Sequence, residues 1–167
     1  PDIAAGTLSG VRATGMDLLP TLLDLCGAPL AKPENADDPL AVEGGSLAQV
    51  LRGVGAGKVQ RPREEIVIHF PHYDLDNGGP ASAIYLQDFK LMRFYESGER
   101  RLFDLSKDIG ERNDIAKQSP EKVKELDDRL TAYLKTVNAQ MPGDEQTVPK
   151  RRPDTAPRGN RQNQKER

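Results

Sequence analysis

Residues 64–105 carry four short runs rich in β-branched and aromatic residues, "EEIVIHF", "ASAIYL", "FKLMRFY" and "RRLFDL", and the links between them are short. The second and third runs flank only Gln87-Asp88, and the fourth follows the turn "ESGE". Parallel neighbours need crossovers of roughly a dozen or more residues, so strands joined this tightly form an antiparallel meander. The next element supplies a cover for it. In "SPEKVKELDDRLTAYLKTV", Ser119 suits an N-cap, Pro120 the first helical position, and Glu121 the positive end of the helix dipole. Val123, Leu126, Leu130, Tyr133, Leu134 and Val137 make one apolar stripe. The pattern predicts an α+β fold: a small antiparallel sheet of about four strands, packed by one long C-terminal helix.

The residues ahead of the sheet read differently. "MDLLPTLLDLCG" predicts a short helix with Asp17 as N-cap, Pro20 in the first turn and Gly27 just past the end. Leucines 18, 19, 22, 23 and 25 nearly encircle it, so it should be buried against something larger. Cys26, the one cysteine, lies in this apolar run and reads as a small buried hydrophobe; it excludes an internal disulfide framework. Residues 31–45 read as a loop, after which Ser46 can cap "LAQVLRG", with Gly53 as its stop. The glycine-rich "GVGAGKVQRP" then leads to the sheet. The resulting divisions are a closing segment at 1–53, a linker at 54–63, a subdomain at 64–142 and a tail at 143–167.

The tail, "GDEQTVPKRRPDTAPRGNRQNQKER", has no large aliphatic beyond Val148 and predicts a disordered basic segment. Against a formal charge of −2 for all 167 residues, it leaves the rest of the chain acidic. It has no aromatic residues to stack on bases, which argues against nucleic acid as a partner. No stretch approaches the roughly 18 apolar residues of a membrane span, and no signal peptide is present. The chain opens on Pro1, so an upstream start, with any targeting segment, is expected to precede it.

Both histidines fall in "HFPHY", residues 69–73. An H-x-x-H pair needs at least one further ligand and no neighbouring cysteine offers one, although Asp74 and Asp76 keep a His/Asp cluster open. "DNGGPAS" reads as a turn and "SKDIGERNDIA" as a solvated loop. The chain contains no phosphate-binding glycine loop, dinucleotide fingerprint or nucleophile elbow. From its residues alone it reads as an accessory unit without a complete active site.

The succession "TGMDLLPTLLDLCGAPL", "EGGSLAQVLRG" and "HFPHYDLDNGGPASAIYLQDFKLMRFYESGERRLFDLSKDIGERNDIAKQSPEKVKELDDRLTAYLKTV" resembles the C-terminal third of the formylglycine-dependent sulfatases. It is most similar to their bacterial arylsulfatase A-like branch, in the alkaline-phosphatase-like superfamily. The most specific part is residues 84–118, which resembles the family's strand-turn-strand and its Asp-Leu-x-x-Asp-Pro-x-Glu-x-x-Asn-Leu loop. The resemblance implies that residues 1–53 hold the last helices of a truncated large α/β domain and residues 64–142 the C-terminal sulfatase subdomain. It implies a secreted or periplasmic enzyme that hydrolyses aryl sulfates or sulfated carbohydrates, using formylglycine and a calcium-type ion. Oxygen donors suit such a hard cation.

The resemblance also implies what this chain lacks. The family's Cys/Ser-x-Pro-x-Arg motif is not matched by "CGAPL" at Cys26, and its metal-binding Asp-Asp and Asp-Asn pairs lie outside the sequence. The chain alone is therefore expected to be inactive, with no catalytic or metal-ligating residue, and to work with the N-terminal catalytic domain of the same protein. By analogy, His69, His72, Tyr73 and Lys90 are candidates for contacting a sulfated small molecule or glycan, Lys90 reading equally as a structural residue whose stem lies along the sheet. Tyr85 stands where relatives have arginine, Gln87 where they have glycine, and Ile109 where proline is usual. Glycine's absence makes a hairpin with positive φ costlier. The alternative is a non-catalytic binding module that retains the fold.

Overall fold

In a computed structural model, residues 3–30, 42–73 and 79–143 are described. The basic tail beyond Gly143, most of the expected loop at 31–45, and Asp74 and Asp76 lie outside these residues. The meander is present. Strands β1 (Ile66–Phe70), β2 (Ala81–Leu86), β3 (Phe89–Phe94) and β4 (Arg100–Asp104) form one sheet in chain order, every pair antiparallel. The β2–β3 hairpin closes on Leu86 opposite Phe89, and Gln87 adopts the left-handed φ of +52° that its position demands.

Side chains alternate across a strand, so the register assigns each face. One face carries Ile84, Leu86, Leu91 and Leu102; helix α3 (Pro120–Thr136) lies over it and inserts Leu126, Leu130 and Leu134. These seven buried side chains form one core, each contributing on the order of 1.5–3 kcal/mol by leaving water. Val137, expected to close the apolar stripe, is at the C-cap and exposed. Arg93 ties helix to sheet by donating to the Asp127 carboxylate at 2.7 Å, its main-chain carbonyl at 2.9 Å and the Thr131 hydroxyl at 2.6 Å. After α3, Asn138 turns left-handed, and the Ala139 amide donates back to the Leu134 carbonyl. This Schellman ending reverses the chain toward the sheet.

The loop after β4 is more than solvated chain. The Asp108 carboxylate accepts the Arg112 and Asn113 amides at 2.7 Å each, and Asp114 accepts the amide of Leu102 at 2.9 Å. Ile115 donates to the Leu102 carbonyl, so the loop is stitched to β4.

Upstream, a 3₁₀ turn (Gly15–Asp17) runs into α1 (Leu18–Leu25), and α2 (Ala48–Arg52) comes next. Asp17 does not cap α1 with its side chain; its carboxylate instead accepts the Thr14 amide at 2.8 Å and the Gly45 amide at 2.9 Å. A Cβ on Gly45 would collide with the Gln60 carbonyl, so this approach requires glycine. Gly27 ends α1 with φ +68° as expected. Ser46 precedes α2 by two residues, accepting the Ala48 amide at 3.1 Å and donating to Asp24 at 2.5 Å.

Within this chain α1 leaves most of its leucines uncovered, as expected of a helix that packs against something larger. Its buried residues are Pro20 and Thr21, while Leu18, Leu19, Leu22 and Leu25 are exposed. Cys26 is exposed as well, not buried. The physical reason is polar: the Thr21 hydroxyl donates to the Asp17 carbonyl at 2.6 Å and accepts the Leu47 amide at 2.9 Å, which turns that side of α1 inward.

Candidate substrate-facing site

Two regions hold the chemistry-bearing side chains. The first is a cavity of about 640 Å³ between residues 10–14 and the sheet face opposite α3. Ile66, Tyr85 and Lys90 share that face by register. The Arg12 guanidinium stacks 5.0 Å from the Tyr85 ring centroid and donates to the Gln87 carbonyl at 2.9 Å, while the Lys90 ammonium lies 5.4 Å from the same ring. Each cation is attracted by the negative face of the ring. Arg12 thus brings a guanidinium to Tyr85, the position where the resemblance led one to expect an arginine.

Lys90 is buried, and its ammonium donates to both Glu111 carboxylate oxygens at 2.6 and 2.7 Å. Of that pair, Glu111 lines the cavity, and Lys90 sits behind it.

The second region is the end of β1. His69 points to the α3 side of the sheet, opposite the Lys90 face and three register positions away from it. Its Nε2 lies 2.7 Å from the Gln140 carbonyl and its Nδ1 2.6 Å from the Ser82 hydroxyl, which is 2.7 Å from the Tyr95 hydroxyl. A carbonyl only accepts, so Nε2 carries the proton; in the neutral ring Ser82 donates to Nδ1 and Tyr95 to Ser82. His72 and Tyr73 lie beyond Pro71, both exposed, with the His72 ring packed edge-on against Phe70 at 5.5 Å. The four sequence-derived candidates therefore do not converge: His72 and Tyr73 remain open to solvent, while His69 and Lys90 are committed to protein partners.

Sequence reasoning missed Arg12, Ser82, Tyr95 and Glu111. Ser82 and Tyr95 carry no motif: the β1–β2 register sets Ser82 opposite His69, and Tyr95, one residue past β3, arrives through the β2–β3 pairing. Among the described residues, no group of three or more His, Cys, Asp or Glu side chains could hold a metal ion. No helix among these residues is long and apolar enough to cross a membrane.

The fold is shared with solved enzymes. A protein solved in complex with its substrate D-glucosamine-2-N,6-O-disulfate superposes with a TM-score of 0.58 at 28% identity, over 86% of this chain and 28% of that one. A 2-O glycosaminoglycan sulfatase superposes at 0.54 and 30% identity, over 73% of this chain and 24% of that one. A four-stranded antiparallel sheet under one helix, matched in this way, is the C-terminal region of a sulfatase of the alkaline-phosphatase-like superfamily. The sequence profile described as "N-sulphoglucosamine sulphohydrolase, C-terminal" matches residues 2–140, and the chain belongs to that family. A curated relative, "Sulfatase" of Formosa agariphila, is 30% identical over 134 residues, which are 74% of this chain and 23% of that protein. The chain thus spans about a quarter of the length of these relatives.

Proposed function

We propose that this chain is the pocket-shaping C-terminal part of an enzyme that hydrolyses sulfate esters of a sulfated glycan. The family match over residues 2–140 carries the reading, and two solved relatives described by sulfated amino sugar or glycosaminoglycan substrates support it. Formylglycine and the calcium-type ion would belong to the part of the relatives that this chain does not span. The enzyme would act in the periplasm or outside the cell. Within the chain, residues 1–53 close the large domain and residues 64–142 form the subdomain.

His72 and Tyr73 are the proposed direct contacts to the organic part of the substrate. They are exposed, adjacent and able to hydrogen-bond sugar hydroxyls. Lys90, paired with Glu111, supports the wall on the other face.

Sulfate release tests the proposal. The polypeptide joined to its catalytic domain should release sulfate from sulfated glucosamine, and the 167-residue chain alone should release none. A folded full-length protein inert toward sulfated sugars and aryl sulfates alike would overturn it and favour a binding module. His72→Ala should raise KM for the glycan about 2- to 10-fold, the worth of one hydrogen bond, with metal binding retained.

A further inference from the structure

We propose that His69 is a positioning residue, through which the segment after α3 holds His72 and Tyr73 in place. The inference rests on the substrate-facing reading of those two residues. His69 is the penultimate residue of β1, an edge strand with a single neighbour. An edge strand held on one side has only half a ladder to fix its end. The imidazole supplies what is missing: Nδ1 joins β1 to β2 at Ser82, and Nε2 joins it to the Gln140 carbonyl beyond α3. Gln140 reaches this point because of the left-handed Asn138 and the Schellman bond from Ala139. The Tyr95 ring meets His69 edge-on at 6.0 Å and its hydroxyl extends the chain through Ser82.

The backbone beyond His69 depends on this anchor. Pro71 restricts Phe70 to extended backbone, and the His72 ring is seated against Phe70. The direction in which His72 and Tyr73 leave the sheet is therefore set by the last two residues of β1. A serine-histidine nucleophile is the competing reading of this cluster. It fails on geometry, because Ser82 is buried and the far nitrogen of the ring is bound to a carbonyl, where a catalytic histidine would have a carboxylate.

The test uses the full-length enzyme and reads steady-state kinetics together with amide hydrogen exchange. His69→Phe keeps the ring and removes both nitrogens. It should raise KM for the sulfated glycan about fivefold, leave kcat within about twofold, and speed exchange at residues 139–141. His69→Gln, which keeps an N–H donor for Gln140, should recover most of the loss. Ending the chain at Ala139 removes the carbonyl without touching β1 and should give the same rise in KM, which covers the case in which His69→Phe does not fold. Unchanged KM and exchange in these variants would overturn the proposal, as would a fall in kcat at constant KM. An enzyme that releases no sulfate from any ester fails the functional reading instead, while the exchange measurement still judges the bond to Gln140.

Discussion

Arg61 closes a two-point grip on Asp17 across 44 residues, Nε donating to Oδ1 at 2.8 Å and Nη2 to Oδ2 at 2.7 Å. The same guanidinium donates to the Arg12 carbonyl at 2.9 Å. The pair is buried, and an uncompensated charge in such a place is expensive. Arg61→Ala should therefore destabilise the fold by about 3–5 kcal/mol, read from the denaturation midpoint at constant slope.

The same carboxylate makes stability depend on acid. Burial pushes the Asp17 carboxyl up, but the Arg61 hydrogen bonds and the Gly45 and Thr14 amides outweigh it and bring its pKa down to about 2. A depressed folded value means the contribution is complete above the unfolded value near 4 and is lost as pH falls through about 2. Unfolding free energy should thus drop by roughly 2 kcal/mol over that window, and Asp17→Asn should flatten that part of the curve.

At the alkaline end, Tyr133 is the sensitive group. Burial and the hydrogen bond it donates to Glu43 at 2.9 Å push its pKa up to about 12. A raised folded value means that stability is intact below the unfolded value near 10 and declines as pH climbs through about 12. Ultraviolet titration should show a tyrosine step near 12 that Tyr133→Phe abolishes.

The Lys90–Glu111 pair is asymmetric, and its variants should be too. Lys90 is 8% exposed, whereas the Glu111 side chain is 32% exposed and can be rehydrated alone. Glu111→Ala strands a buried ammonium and should cost about 1–3 kcal/mol, while Lys90→Met, which keeps the stem, should cost less than about 1 kcal/mol. Equal losses in thermal denaturation would contradict this.

Gln87→Gly should stabilise the protein by up to about 1 kcal/mol. The φ of +52° is strained for a residue with a Cβ, and the bond from Arg12 goes to the main-chain carbonyl, which the substitution retains. A lower midpoint would show that the Gln87 side chain contributes more than its backbone costs.

Much of the sheet was legible in the sequence, because two-residue alternation and the Gln87-Asp88 link leave one economical arrangement. The strand faces are set by the same alternation. The orientation of α1 was not legible: leucines on every side do not say which side turns inward, and the deciding groups were the Thr21 hydroxyl and the Asp17 carboxylate. The two histidines show the same boundary at the site. Their spacing was visible, but the partners of His69 come from β2 and from beyond α3, and only long-range register brings those together.

The bonds from Arg61 to Asp17, Arg12 to Gln87 and Tyr133 to Glu43 all join the sheet-and-helix unit, with the stretch leading into it, to residues before position 46. For protein engineering this places the seam of any chimera. A cassette cut early in the glycine-rich stretch at 54–63 would carry away Arg61, Gln87 and Tyr133 while leaving their counterparts in the donor. Exchange of pocket rims between relatives should succeed only when residues 9–17 and 43–45 travel with residues 61–143 as a single graft.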